Sequence, residues 1–361
     1  MKQNTETRGQ ISVLIVDDSA FMRTALSRMI GSEPDIQVVG SARDGSEALE
    51  KIAALNPDVV TLDVEMPGLN GLETLRCIMA QSPRPVIMVS SATERDAEIT
   101  FRALGVGAFD YVPKQLSSGS LEILHIRDDL IAKIKAAAQL RRPHAAVGIR
   151  KPPQGAGSSE LGTLPFLPAV VAIGISTGGP KALQDMLPLL PPDLPVPILI
   201  VQHMPPGFTA PFAQRLAGLC SIAVREATHQ EPIRPGVVYI APAGIHMVVE
   251  HPPDSRPVIA LTPEPANHLH VPSVDIMMNS VAETFGSLAM GIIMTGMGCD
   301  GALGMKSIHR HGGITVGQDE PSCVVYGMPR ACAEMGILQH VVPLSKIPQQ
   351  ILRATRYRKH A

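Results

Sequence analysis

Short, almost uninterrupted hydrophobic runs alternate with longer amphipathic stretches through residues 11–140. The runs do not alternate apolar and polar side chains, so both faces of each strand are expected to be buried. The stretches between them have the spacing of helices that cover a sheet. This part of the chain therefore predicts a doubly wound α/β domain with a parallel sheet. Its expected strands are ISVLIV (11–16), IQVVG (36–40), DVVTL (58–62), PVIMVS (85–90) and FDYV (109–112).

The alternation stops at residues 141–168, which are rich in Pro, Gly, Ser and Arg and have no hydrophobic period. Such a composition is typical of a linker between domains. The strand and helix rhythm then returns from residue 169. We therefore expect a first domain over residues 11–130, a linker over 131–168 and a second domain over 169–361.

The second domain repeats the βα pattern, except that three apolar runs follow one another without a helix between them. The repeating part predicts another doubly wound α/β domain with a mostly parallel sheet. The three runs predict a hairpin-like addition; they are VVYIAP (237–242), HMVVE (246–250) and PVIAL (257–261). The strands expected in the sheet include AVVAIGI (169–175), PILIVQ (197–202), IAVREA (222–227), GIIMTG (291–296) and GITVGQ (313–318).

Composition narrows the class of protein. The 361 residues are 45% hydrophobic, which is enough for two separate cores. A net charge of −2 indicates no general affinity for nucleic acid or for anionic membranes. No run has the length of a membrane span, and the five cysteines form no C-x-x-C pair. We therefore expect a cytoplasmic protein with reduced thiols, no nucleic-acid partner and no membrane insertion. The sequence leaves the oligomeric state open, and a monomer is the working expectation.

Polar side chains follow the strands of the first domain. Asp17 and Asp18 come after the first strand, and Asp63 ends the third. Ser90 and Lys114 follow the fourth and fifth strands, so all should meet at one sheet edge. Three carboxylates repel one another unless a cation such as Mg²⁺ lies among them. A lone aspartate would more simply cap a helix, but the matched strand ends favour a phosphorylated carboxylate steadied by a lysine and a hydroxyl.

On these motifs, residues 11–130 resemble the receiver domain of response regulators, a flavodoxin-like (βα)5 fold. The resemblance implies a phospho-acceptor aspartate, an Mg²⁺ site, a switch hydroxyl, a switch aromatic and an invariant lysine. The phospho-acceptor is Asp63, the metal ligands are Asp17, Asp18, Asp63 and the backbone carbonyl of Glu65, and the other three are Ser90, Tyr111 and Lys114.

The segment Gly174–Gly178 reads G-I-S-T-G between a strand and a helix, which is the setting of a nucleophile elbow. A turn that caps the helix or binds phosphate would look the same, so the pentapeptide alone leaves both open. His203 ends the next strand, and neighbouring strands lie ~5 Å apart, so it could serve Ser176 as a base. Asp300 follows a further strand in a glycine-dense loop and could orient the histidine.

Other histidines compete with His203 for the role of base. None of them lies in a motif that supplies a partner, and a histidine of this kind is more often structural. His270 precedes an expected helix and could lie near a substrate. The competitors are His229, His246, His268, His270, His309 and His311.

Four stretches of the second domain, AIGISTGG, VQHMPPGFT, TGMGCDGALG and SCVVYGMPRA, resemble the CheB-type chemotaxis protein-glutamate methylesterases. The resemblance implies Ser176 as nucleophile, His203 as general base and Asp300 as its orienting acid. It assigns the oxyanion hole to the backbone N–H of Met297, with Thr177 beside it. The implied reactions are hydrolysis of glutamyl γ-methyl esters and deamidation of glutamines on methyl-accepting chemotaxis receptors, without a cofactor.

The resemblance also implies regulation. A sensor histidine kinase would phosphorylate Asp63, draw Ser90 and Tyr111 inward and uncover Ser176. Three other classes are weighed against this enzyme: a receptor-binding regulator with an inactive output domain, a DNA-binding response regulator and a conventional lipase or esterase. The intact serine, histidine and aspartate disfavour the first, and the lack of a basic helical stripe disfavours the second. The order Ser, His, Asp disfavours the third, because α/β-hydrolases run Ser, Asp, His.

Overall fold

The computed structural model describes residues 10–91, 93–114, 120–141, 167–253, 256–266 and 268–357. The chain divides into two units, Met1–Gly148 and Ile149–Ala361. No helix in these described ranges is both long enough and apolar enough to cross a bilayer.

The first unit is a parallel five-stranded sheet in the order β2-β1-β3-β4-β5, as its hydrophobic runs predict. The central strands are buried from end to end because helices cover both faces of the sheet. The strands are β1 (Ile11–Val16), β2 (Ile36–Ala42), β3 (Val59–Asp63), β4 (Val86–Ser90) and β5 (Asp110–Pro113). The helices are α1 (Ala20–Gly31), α2 (Gly45–Leu55), α3 (Gly71–Gln81), α4 (Glu94–Val106) and α5 (Ser120–Arg141).

The first four helices of this unit each begin behind a polar side chain that accepts a backbone N–H of the first turn. Ser19, Asp44, Asn70 and Thr93 do so for α1 to α4 in turn. Such caps satisfy amides that have no partner within the helix, so they set where each helix starts. The sequence therefore determines where these four helices begin.

Helix α5 runs past residue 130, where the sequence predicted the domain to end. Ile131, Ile134 and Ala137 are buried, so the apolar face of the helix continues beyond that point. Residues 131–141 are thus helical rather than linker. The rest of the predicted linker, 142–166, lies outside the described residues.

The second unit contains a seven-stranded parallel sheet in the order β15-β14-β13-β6-β7-β10-β8, and a small antiparallel sheet in the order β11-β12-β9. The strands are β6 (Val170–Ile175), β7 (Ile198–Gln202), β8 (Ala223–Glu226), β9 (Glu231–Pro232), β10 (Val237–Ile240), β11 (His246–Glu250), β12 (Val258–Thr262), β13 (Ala289–Ile293), β14 (Ile314–Gln318) and β15 (His340–Val342). The helices are α6 (Gly179–Met186), α7 (Thr209–Ala217), α8 (Val274–Phe285), α9 (Ala302–Arg310), α10 (Met328–Glu334) and α11 (Ile347–Ala354).

One of the three runs expected in the hairpin addition belongs elsewhere. β10 lies in the main sheet and pairs in parallel with both β7 and β8. Only β11 and β12 form the antiparallel hairpin. The pattern could not separate the two cases, because a short buried run looks alike in either sheet.

Candidate functional site

Ser176 and His203 follow two strands that are hydrogen-bonded neighbours. The register pairs Ile175 of β6 with Gln202 of β7. The His203 backbone N–H donates to the Ile175 carbonyl at 3.1 Å. The first residue beyond each strand is therefore Ser176 on one side and His203 on the other, as the sequence predicted.

The turn that carries Ser176 is held from both neighbouring strands. The Ser176 N–H donates to the Thr295 carbonyl at 3.0 Å. The Gln202 side-chain amide donates to the carbonyls of Ser176 and His203, at 3.0 and 2.9 Å. Gly178 is the N-cap of α6, and no side chain caps that helix. Ser176 is therefore not a helix-capping residue, and its hydroxyl is not committed to the α6 amides.

His203 is bound to Asp300. Their Nε2 and Oδ2 atoms lie 2.8 Å apart, and the two side chains are 11% and 5% exposed. An ionised carboxylate only accepts hydrogen bonds, so Nε2 carries the proton and Nδ1 has the free lone pair. Nδ1 is buried and has no hydrogen-bond partner in the described part of the chain. The Ser176 hydroxyl thus does not reach Nδ1 in this structure, and such bonds commonly form only when substrate binds.

Asp300 is anchored at the amino end of α8. It accepts hydrogen bonds from the Ser273 hydroxyl at 2.9 Å and from the backbone amides of Val274 and Asp275 at 2.8 and 3.0 Å. Burial acts to raise the pKa of Asp300, but its bond to His203 and the α8 amides outweigh burial and lower it. A helix amino end also favours negative charge. Asp300 is therefore ionised at neutral pH and fixed in place.

The two amides predicted for the oxyanion hole belong to segments that lie against the serine. Thr177 follows it directly, and the loop that holds Met297 passes against it. A Cβ atom built on Gly296 would lie 2.8 Å from the Ser176 Cβ. The Thr295 hydroxyl donates to the Thr177 carbonyl at 3.0 Å, which ties the two segments together. The oxyanion role of both amides stays a prediction.

Replacing Gly296 by Ala is expected to lower kcat about 10- to 100-fold, because the added methyl group must displace the Ser176 side chain. The methyl group would also meet the Met328 Sδ at 2.3 Å. Hydrolysis of a protein glutamyl methyl ester, the substrate that the sequence resemblance implies, would measure the loss. A matched control is Gly218→Ala, whose Cβ has its nearest neighbour at 3.6 Å and which should keep the wild-type rate. Equal rates for both variants would contradict the close contact at Gly296.

Four of the competing histidines lie away from Ser176 and His203 in their contacts. His229 accepts a backbone N–H from Leu261, while His309 and His311 lie at the exposed end of α9. His246 is fully buried and accepts the Ser273 N–H at 3.1 Å.

Three residues around Ser176, His203 and Asp300 make contacts that the sequence did not predict. They are Gln202, Ser273 and His270, whose ring lies against that of His203. A serine before an expected helix was the available signal for Ser273, since serine is a favoured N-cap.

The acidic residues of the first unit also meet. One oxygen from each of Asp17, Asp18 and Asp63 lies within 4.8 Å of the other two. The Lys114 ammonium lies 3.0 Å from Asp17 and 2.6 Å from Asp63. Glu65 contributes its backbone N–H to Asp63 at 3.2 Å. The strand ends therefore converge as predicted, while a role for the Glu65 carbonyl stays a prediction.

The charges in this cluster oppose one another. Burial raises the pKa of Asp63 to about 6, although Lys114 acts to lower it. Burial acts to lower the pKa of Lys114, but Asp63 and Asp17 raise it above its ordinary value. Three carboxylates facing one lysine leave an excess of negative charge. Such a set of oxygen donors fits Mg²⁺, which is commonly held by few carboxylates and several waters.

The two residues predicted to act as a switch are buried in this structure. Ser90 is fully buried and Tyr111 is 3% exposed. The Thr100 hydroxyl donates to Ser90 Oγ at 2.8 Å, and the Tyr111 ring meets Phe101 edge to face at 6.0 Å. The expected movement of Ser90 and Tyr111 on phosphorylation stays a prediction.

The fold and the two sites define a response regulator whose output domain is a hydrolase. Residues 171–351 match the family model of the CheB methylesterases, and residues 13–124 match that of the response regulator receiver domain. The chain belongs to the CheB methylesterase family and carries a receiver domain.

Two relatives resemble the chain over nearly its whole length. A protein-glutamate methylesterase/protein-glutamine glutaminase of Symbiobacterium thermophilum is 49% identical over 95% of this chain and 97% of its own. One from Nitratidesulfovibrio vulgaris is 46% identical over 95% of this chain and 98% of its own. The catalytic domain of Thermotoga maritima CheB methylesterase superposes with a TM-score of 0.50 at 37% identity, covering 52% of this chain and 99% of that domain.

Proposed function

We propose that this chain hydrolyses glutamyl γ-methyl esters, and deamidates particular glutamines, on methyl-accepting chemotaxis receptors. The observation that carries the proposal is the 2.8 Å bond from His203 Nε2 to Asp300, which leaves Nδ1 unpaired at the strand end beside Ser176. The names of the relatives support the choice of substrate. The expected cytoplasmic location and monomeric state stay predictions.

In the proposed reaction, His203 Nδ1 takes the Ser176 proton as Oγ attacks the ester carbonyl. The Thr177 and Met297 amides stabilise the negative oxygen, and donors of this kind contribute roughly 3–4 kcal/mol each. His203 returns the proton to the methoxide, methanol leaves, and an acyl-serine remains. Water then attacks the acyl-serine. His203 takes a proton from the water and passes it to Ser176 Oγ as glutamate is released. With a glutamine side chain the leaving group is ammonia.

Asp63 is the proposed phosphorylation site, with a sensor histidine kinase as donor. Mg²⁺, when bound, would neutralise phosphoryl charge; Asp17, Asp18 and Asp63 would hold it. An Asp63 oxygen attacks the phosphorus of the kinase's phosphohistidine, the P–N bond breaks with histidine as the leaving group, and an acyl phosphate forms on Asp63. Lys114, now paired with Asp63, would pair with the new phosphoryl oxygens. The added charge and acceptor oxygens then act on Ser90 and the switch.

Replacing Asp63 by Asn is expected to abolish stimulation by a phosphodonor, because an amide cannot form the acyl phosphate. The ratio of methanol release with and without an acyl phosphate plus Mg²⁺ should fall to one. Asp128→Asn is the matched control, since that side chain is 71% exposed, and it should keep the wild-type ratio. A wild-type ratio of one would defeat the gating and leave the esterase assignment standing.

Methanol release from methylated receptor by the wild-type protein tests the enzyme itself. A receptor-binding regulator without activity would bind receptor and release no methanol. Incubating receptors that carry the unmodified glutamines, and measuring ammonia, tests the second reaction separately.

A further inference from the structure

We propose that His270 is a positioning residue for the general base: its imidazole stacks on the His203 ring and holds that ring's plane. This inference rests on the proposed function of His203. The ring centroids lie 4.2 Å apart and the planes differ by 14°. His270 is half-buried, so the pair lies at the edge of the site rather than in the core.

The contact supplies a constraint that Asp300 cannot. The Asp300 bond fixes the position of His203 Nε2, but one hydrogen bond leaves the ring free to tilt about it. Tilting moves Nδ1, the atom that must face the Ser176 hydroxyl. A parallel aromatic surface resists this tilt because rotating the ring would break the stacked contact.

His270 is itself held by the segment that anchors the acid. It lies three residues before Ser273, which donates to Asp300 and caps α8. The Val271 carbonyl between them accepts the Gly244 N–H at 3.1 Å. The segment 270–273 therefore acts on His203 in two ways. His270 contacts the ring face of His203, and Ser273 anchors the Asp300 carboxylate that holds its Nε2.

The stack also suits the charge that develops during catalysis. His203 becomes a cation when it takes the serine proton, and the face of a neutral aromatic ring attracts a cation. An aromatic residue at position 270 is thus more useful to the reaction than an aliphatic one of similar size.

The experiment compares wild type, His270→Ala, His270→Phe and His309→Ala. Two rates are measured: methanol release from methylated receptor, and covalent labelling of Ser176 by a small organophosphonate. His270→Ala should lower kcat and the labelling rate about 3- to 10-fold with KM unchanged. His270→Phe, which restores an aromatic face, should return both to within about twofold of wild type. His309, exposed in the last turn of α9, is the matched control and should have no effect.

Loss of receptor affinity alone, with normal labelling, would overturn the proposal and make His270 a docking residue. So would wild-type rates for His270→Ala, or failure of Phe to restore them. If His270→Ala unfolds at a lower temperature than wild type, His270→Asn replaces it. Asparagine keeps a polar side chain but cannot stack, so the same loss of kcat and labelling rate is expected. Absence of methanol release from the wild type would defeat the proposed function instead, and the labelling rates would still test the stack.

Discussion

Ser176→Ala is expected to reduce methanol release roughly 10⁴- to 10⁶-fold, the largest effect of any single substitution in this chain. Alanine removes the only atom proposed to bond to the substrate carbonyl. The turn itself should survive, because it is held by the Ser176 backbone N–H and carbonyl rather than by the hydroxyl. The temperature of thermal unfolding should therefore stay as in wild type.

Single-turnover methanol release measures this loss without interference from product release. Ser221→Ala is the matched control, because Ser221 is exposed before β8 and takes no part in the site. It should retain the wild-type rate. Substantial hydrolysis by Ser176→Ala would mean that another group, or water activated directly by His203, attacks the ester, and the acyl-serine mechanism would be wrong.

Asp300→Asn is expected to lower kcat about 10³- to 10⁴-fold. An asparagine can donate to His203 Nε2, which would favour the tautomer with the proton on Nδ1, the atom that must accept it. The substitution also removes the negative charge that stabilises the imidazolium. Unlike Ser176→Ala, it weakens the anchoring by Ser273 and the α8 amides.

The same variant tests the electrostatics of the folded state. Folding lowers the pKa of Asp300, so its charge stabilises the folded state. This stabilisation is fully present at pH values above the ordinary aspartate pKa near 4. That stabilisation is lost as pH falls toward the lowered value. The free energy of unfolding, measured with urea, should therefore change less between pH 7 and pH 3 for Asp300→Asn than for wild type. Asp185→Asn, on the exposed face of α6, should match wild type in both rate and pH response.

Local patterns located the chemistry of both units. Buried runs mark strands, and the polar residues just beyond parallel strands must meet at one edge. That rule places Asp17, Asp63 and Lys114 together, and it places Ser176 beside His203 once their strands are neighbours. The same strand pattern favours a sheet-based hydrolase over a helical DNA-binding output domain for the second unit.

The sequence offered Asp300 as the partner of His203, but the pattern alone could not show that the two side chains lie together. Asp300 meets His203 because β13 pairs with β6 on the side opposite β7, an arrangement of distant segments. Its anchor is the amino end of α8, and the ring against His203 comes from the segment before that helix. The placement of β10 in the main sheet was missed for the same reason.

The sequence by itself determined which side chains lie at strand ends. The hydrophobic periods of strands and helices are properties of short stretches, so they can be read directly along the chain. Only the tertiary structure decided which strands are neighbours, which amides hold Asp300 and which ring covers His203. Those contacts depend on how the whole domain packs. Many short buried runs could occupy the same position in a sheet, and the choice among them is made only when every face of the core is filled.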